Sequence, residues 1–536
     1  MEAYVGLSAA SANVSVNTAN GHTASEDVID VLESISNKGV RIWVEKGRLH
    51  YKAPKGALTQ ADIRKLRTFG FRIVAYLCET TDSGGVDSMQ RSGARVRRAP
   101  LTFSQLARWH RFRLGECCSV RQIAAAMRLS GRLRVDALRQ SLSDIVQRHD
   151  ALRTRIVIVD GSPIQEIDDT RDCQLPIADL TRLSGGLREA EVQREIEKFI
   201  MEPIDVAVDL LFGVRLLKLN DDEHILMVAM EHSVSDLFSL NVLWRDLLST
   251  YTSVVKGRPS ALPRVPVQFA DYAVWQRNTE RLMIGRHGAF WNEQLAGCRL
   301  TFPENKSEDS STQRGWGSVP VRIDRNLKAE LYKWCRVRQT TPVLAALTAY
   351  FGLVSRWCKT TQVMIECQSD GRVSPQLEEA IGLFASPIYL SIRLHENDSF
   401  VALKNRVTEE YCRAHEHADF SYMAAQMPPS VLTRVIAFNW IPQGTKSNCH
   451  ELQGSEDAIS CCPIAFEHPA LRKLELDREP VLVLFDADEE VVGGVRFPLN
   501  RYSIDSMERF GRNFLVFIEA LLGRAEECVS DIVLSQ

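Results

Sequence analysis

His232 and Asp236 stand four residues apart in Met230-Glu231-His232-Ser233-Val234-Ser235-Asp236-Leu237, a spacing that suits a proton acceptor with a carboxylate close by. A neutral imidazole can act as a base, although a histidine near a helix start is more often an ordinary hydrogen-bonded residue. Other reactive residues lack the arrangement their chemistry needs. No G-x-S-x-G is present for a serine hydrolase, and His415-Glu416-His417 lacks the H-E-x-x-H spacing of a zinc hydrolase. The vicinal pairs Cys117-Cys118 and Cys461-Cys462 have no matching His cluster, so no metal site is expected. His149 falls inside the helical run from Leu142 to Leu152 and reads as structural.

The flanking sequence supplies the mount for His232. Ile225-Leu226-Met227-Val228-Ala229 is a continuous apolar run that reads as a buried strand. Leu237, Leu240, Leu243, Trp244, Leu247, Leu248 and Tyr251 then recur at helical spacing, with Asp236 where an N-cap belongs. His232 is thus expected on a loop held between two buried elements, a rigid place for a base. Further along, Pro342 to Trp357 reads as a core helix and Val481 to Phe485 as a buried strand. The polar stretch Glu304 to Gly317 reads as a surface crossing.

At 536 residues the chain suggests two to four folded units. A formal net charge of −3 lacks the basic field of a general nucleic-acid binder. No apolar run is long enough to span a membrane, and Met1-Glu2-Ala3-Tyr4 does not open a secretory leader. Thirteen cysteines with no C-x-x-C point to reduced thiols and a cytoplasmic protein.

The organisation in order is a disordered tail (1–24), a small domain (25–80), a linker (81–99) and two larger lobes (100–275 and 276–536). In the small domain, Val40 to Val44 and Arg48 to Lys52 alternate like strands around a Glu45-Lys46-Gly47 turn, with helical patterns on either side. The stretch G-V-R-I-W-V-E-K-G-R-L-H-Y-K-A-P-K-G-A-L-T resembles the tubulysin-synthetase-type N-terminal docking domain. That resemblance implies capture of an upstream synthetase subunit's C-terminal tail by β-augmentation. Trp43 and the cations Arg41, Lys46, Arg48 and Lys52 are the expected contacts, and the charges favour an acidic tail.

The His232 segment and four others resemble nonribosomal-peptide condensation domains of the chloramphenicol-acetyltransferase-like superfamily. These others are Leu101 to Trp109, Gln147 to Thr154, Val267 to Gln276 and Ile381 to Pro387. Against the family signature H-H-x-x-x-D-G, this chain keeps the second His (His232) and the Asp (Asp236), with Glu231 for the first His and Leu237 for the Gly. The resemblance implies an α/β fold of two chloramphenicol-acetyltransferase-like lobes in a V-shaped pseudo-dimer, preceded by a small α+β docking domain with a β-hairpin. It further implies an acyltransferase that joins a carrier-bound acyl thioester to an amine or alcohol, with His232 as base. Asp236 would be structural, paired with Arg372 or else Arg153. Glu231 would either favour imidazolium or orient the ring, and Leu237 would narrow the tunnel. No cofactor is expected to be bound, since substrates arrive on the phosphopantetheine of partner carrier proteins. With no adenylation or carrier signature, a free-standing subunit is expected. The alternatives are a non-catalytic scaffold for carrier proteins and a CoA-dependent acyltransferase, although the D-F-G-W-G motif of the plant-type branch is missing.

Overall fold

The computed structural model describes residues 41–44, 49–52, 96–113, 122–202, 204–260, 262–295, 302–303, 315–418, 435–441, 450–451, 459–464 and 479–534. The chain divides into two compact units, Met1–Gly93 with Arg372–Glu379 and Ala94–Gly371 with Ala380–Gln536. In the first, β1 (Arg41–Val44) pairs antiparallel with β2 (Leu49–Lys52), Trp43 opposite His50 and Arg41 opposite Lys52. This is the hairpin that the alternation foretold. Lys46, Arg48 and the flanking helical patterns lie outside the described residues.

The second unit opens with β3 (Arg98–Pro100), α1 (Phe103–Arg113), β4 (Gln122–Ser130) and α2 (Val135–Arg148). There follow β5 (Thr154–Val159), β6 (Ser162–Ile167), β7 (Ile177–Asp179), α3 (Gly185–Met201), β8 (Phe212–Lys218) and β9 (Glu223–Glu231). α4 (Leu237–Val255) and α5 (Phe269–Asn278) complete this half, and α6 (Glu280–Leu295) follows, its Trp291 bonded to the His417 carbonyl at 2.9 Å. Strand β3 joins β6 and β5 in a three-stranded sheet. Structure therefore begins inside the stretch read as linker: Ala99 is buried and Arg98 pairs with Glu166 at 2.7 Å.

The remainder holds β10 (Trp316–Ile323), α7 (Arg325–Arg338), α8 (Pro342–Cys358), β11 (Gln362–Ser369), β12 (Ser386–Arg393) and α9 (Phe400–His415). It ends with β13 (Ile436–Ile441), β14 (His450–Glu451), β15 (Ser460–Ile464), β16 (Val481–Asp486), β17 (Val491–Pro498) and α10 (Ile504–Gly523). Two six-stranded sheets organise the whole, in orders β14-β15-β4-β9-β8-β7 and β10-β17-β16-β13-β11-β12. β9 is central to the first, and from His224 to Glu231 every residue is buried, as its unbroken apolar run requires. α8 is central to the second lobe: from Leu344 to Val354 it is buried all round, so no polar stripe interrupts its sequence.

Sequence order and lobe membership part company at β15. It pairs antiparallel with β4, Cys461 opposite Leu129, so the second lobe lends a strand to the first lobe's sheet. On the same strand Cys462 is disulfide-bonded, which corrects the expectation of reduced thiols throughout; seven other described cysteines are free. A disulfide depends on two cysteines meeting in the fold, a proximity that no spacing along the chain reveals. Among the described residues no helix is long and apolar enough to cross a membrane.

Candidate functional site

The loop from β9 to α4 is built from its own side chains. Glu231 closes the strand through its N–H to the Leu211 carbonyl at 2.9 Å, and its carbonyl accepts from Val234 N–H at 3.1 Å and Ser235 Oγ at 2.9 Å. Its buried carboxylate accepts from the Ser233 N–H. Across this turn, His232 Nδ1 lies 2.8 Å from the Ser235 carbonyl oxygen. A carbonyl has no proton to give, so Nδ1 carries the hydrogen and Nε2 keeps its lone pair. No group among the described residues engages Nε2.

Burial drives the His232 pKa down to about 3, and the nearby Arg108 charge pushes the same way. The Ser235 bond, the Asp236 charge and a bond to the residue's own backbone oppose this without prevailing. The ring is thus neutral at any ordinary pH. Arg108 lies in the opening motif on α1, a segment read as a fold marker; its bearing on His232 depends on packing that the sequence does not spell out.

Asp236 is the N-cap of α4 in a capping box with Ser239: Oδ1 accepts from the Ser239 N–H and hydroxyl, each at 2.8 Å. Oδ2 accepts from the N–H groups of Phe384 and Ala385 at 3.1 and 3.2 Å. Ser239 Oγ also accepts from the Gly382 N–H at 3.2 Å and lies 3.0 Å from the Gly382 carbonyl, which competes with Asp236 for its one hydrogen. One carboxylate and one hydroxyl thereby tie the His232 loop to the Ile381–Pro387 motif of the second lobe. Gly382 is required there, because a Cβ would collide with the Phe269 ring. Gly371 is equally constrained, with φ +64° and the Phe384 carbonyl where a Cβ would be. Phe384 packs edge-on against Phe269 and Tyr272 of α5, at 5.1 and 5.0 Å between centroids. α5 in turn reaches the opening motif through Gln276, which accepts from the Phe103 N–H at 2.9 Å. Motifs scattered along the chain converge on one scaffold beneath the His232 loop. The capping carboxylate takes the Ser239 N–H of α4 and places a negative charge at the helix N-terminus.

Leu237 is the first residue of α4 and is 43% exposed, with its backbone outside the left-handed region. Arg153 is buried and binds Asp150 together with the carbonyls of Val146 and Asp168, the former at 2.8 Å. Arg372 belongs to the unit that also holds the hairpin. His149 is the C-cap of α2 and not mid-helix, because the chain tightens there into a 3₁₀ turn over Asp150–Arg153. Its Nε2 meets Asp246 at 3.0 Å, and Arg148 binds the same carboxylate at 2.8 Å. Sequence reasoning missed the loop's other fixtures, Ser235 and Ser239; only an N3 serine after an N-cap aspartate hinted at the capping box.

The condensation-domain profile matches residues 96–456, and the TubC N-terminal docking domain profile matches residues 28–79. The chain is 28% identical to a linear gramicidin synthase component of Brevibacillus parabrevis over 326 residues, which is 60% of this chain and 6% of that protein. It is 26% identical to the beauvericin nonribosomal cyclodepsipeptide synthetase of Beauveria bassiana over 427 residues, 77% of this chain and 13% of that protein. The chain thus spans a small fraction of the length of these relatives. The X-domain in its complex with OxyB from teicoplanin biosynthesis superposes with a TM-score of 0.67 at 22% identity, covering 84% of this chain and 98% of that one.

Proposed function

The chain belongs to the condensation-domain family, and on that premise we propose that it joins a carrier-bound acyl thioester to an amine acceptor in nonribosomal peptide biosynthesis. The observation that carries this reading is the His232 ring, neutral, with Nδ1 satisfied by Ser235 and the Nε2 lone pair left for substrate. The amine nitrogen attacks the thioester carbonyl carbon, and Nε2 takes the proton the nitrogen sheds as the tetrahedral centre forms. The C–S bond then breaks and that proton passes to the departing sulfur, leaving an amide and a free pantetheine thiol. The thioester is already activated, so positioning supplies much of the rate. A neutral imidazole has the lone pair this step requires.

The docking hairpin supports delivery of the donor by another synthetase subunit, whose acidic tail would lie along β1 or β2 near Arg41 and Lys52. The rival reading is a scaffold that holds carrier proteins without chemistry, as the altered Glu231 and Leu237 positions would allow. Incubating the chain with an acyl-carrier thioester and candidate amines or alcohols, followed by intact-protein mass spectrometry, separates the two. Protein-dependent loss of the acyl mass with amide formation supports the enzyme. Carrier binding with an unchanged acyl load across authentic substrates supports the scaffold.

A further inference from the structure

The residue that departs most sharply from the signature is also the one that shapes the turn around the base. Glu231 is 7% exposed, and its carboxylate accepts the Ser233 N–H while its carbonyl takes Val234 N–H and Ser235 Oγ. The Ser233 hydroxyl is itself buried with no partner among the described residues, so the Ser233 side of the turn is braced through its backbone. That turn sets where the Ser235 carbonyl sits, and the Ser235 carbonyl decides which ring nitrogen of His232 holds the proton. Free imidazole side chains in water prefer the hydrogen on Nε2, the opposite of the arrangement here.

We propose that Glu231 is a positioning residue, whose carboxylate holds the turn that keeps the proton of His232 on Nδ1 and presents Nε2 as the acceptor. On this view the glutamate is a replacement brace and not a decayed position. An aliphatic side chain in its place offers no acceptor to the Ser233 N–H. A buried N–H left without an acceptor would then drive the turn to rearrange. The proposal rests on the reading of His232 as the proton acceptor, but its first test needs no substrate.

The test uses the full chain labelled with nitrogen-15 histidine, the His232 ring signals being assigned by their loss in His232→Gln. The expected wild-type pattern is protonated Nδ1 and bare Nε2 across about pH 6 to 8. Glu231→Gln keeps an acceptor oxygen and should keep that pattern. Glu231→Met, of similar length without an acceptor, should shift it toward Nε2–H and lower single-turnover transfer about tenfold or more. Should Glu231→Met not fold, Glu231→Leu serves in its place with the same expected shift. An unchanged ring pattern in a folded Met or Leu variant overturns the proposal, as does equal disruption by Gln. A wild type that shows the expected ring pattern but forms no product would contradict the proposed function and leave the tautomer assignment standing.

Discussion

Two histidines of the first lobe, His149 and His232, are both held below the usual imidazole range, yet they are built for opposite ends. Burial lowers His149, and the Asp246 bond opposes it. Asp246 is itself pushed up by burial, but its bonds to His149 and Arg148 and the charge of Arg245 outweigh this and hold it at about 2. His149 therefore directs Nε2 inward, onto a carboxylate shared with Arg148 at 2.8 Å. His232 bonds a carbonyl through Nδ1 and leaves Nε2 outside any such network among the described residues. Burial alone does not make a reactive imidazole. The partner of one nitrogen decides whether the other is available.

Breaking the His149 network should give the largest stability change. Asp246→Ala leaves Arg148, Arg245 and His149 without their shared carboxylate and should cost about 3–5 kcal/mol in urea unfolding, with transfer per folded molecule unchanged. Loss of transfer without loss of stability would erase the contrast between the two histidines. Asp236→Ala comes next. It removes an N-cap worth about 0.5–2 kcal/mol and strands the Phe384 and Ala385 N–H groups at about 1–3 kcal/mol. Here stability and transfer should fall together, and a thermally unchanged variant would refute the tie between the lobes.

Acid should sharpen the contrast further. With its pKa at about 3, His232 stays neutral, so transfer should show no His232 limb between about pH 8 and 5.5. A break near the free-histidine value would count against the buried neutral ring. His287 and His417, whose Nδ1 atoms meet at 2.8 Å, are pushed down to about 4 by burial and neighbouring charges. Their folded values lie below the unfolded one, so the stability they contribute is complete above about pH 6.5 and declines as pH falls toward 4. Denaturant midpoints taken through that window should drop, and His287→Asn should flatten the slope.

The smallest effect is expected at the hairpin. Arg41→Glu should weaken capture of an acidic synthetase tail by no more than about 1 kcal/mol, with the difference fading as salt rises. Titration of the full chain with tail peptides tests it, and binding indifferent to both charge and salt would contradict the electrostatic part of the account.

The local grammar of the site was legible in the sequence. The apolar run before His232, the helical spacing after it and Asp236 as N-cap appear as β9, α4 and a capping box. The hairpin, α8 and β16 were equally plain, because each is a continuous pattern within a few residues. What stayed hidden depends on pairing at long range. Nothing in Ser460–Ile464 announces a strand of the other lobe, and nothing in Ser239 announces a bond to Gly382. The break at His149 was missed because Leu142 to Leu152 keeps its apolar spacing across the change from α-helix to 3₁₀ turn. Cys462 was misjudged for a similar reason, its bond depending on proximity in the fold and not on spacing.

The most direct test of the central claim is single-turnover acyl transfer from a loaded carrier protein to an amine, measured for wild type and His232→Ala with carrier binding and thermal unfolding followed alongside. The account predicts a rate loss of about a hundred- to ten-thousand-fold, with carrier affinity and melting temperature unchanged. Transfer at the wild-type rate by the folded His232→Ala protein would contradict it.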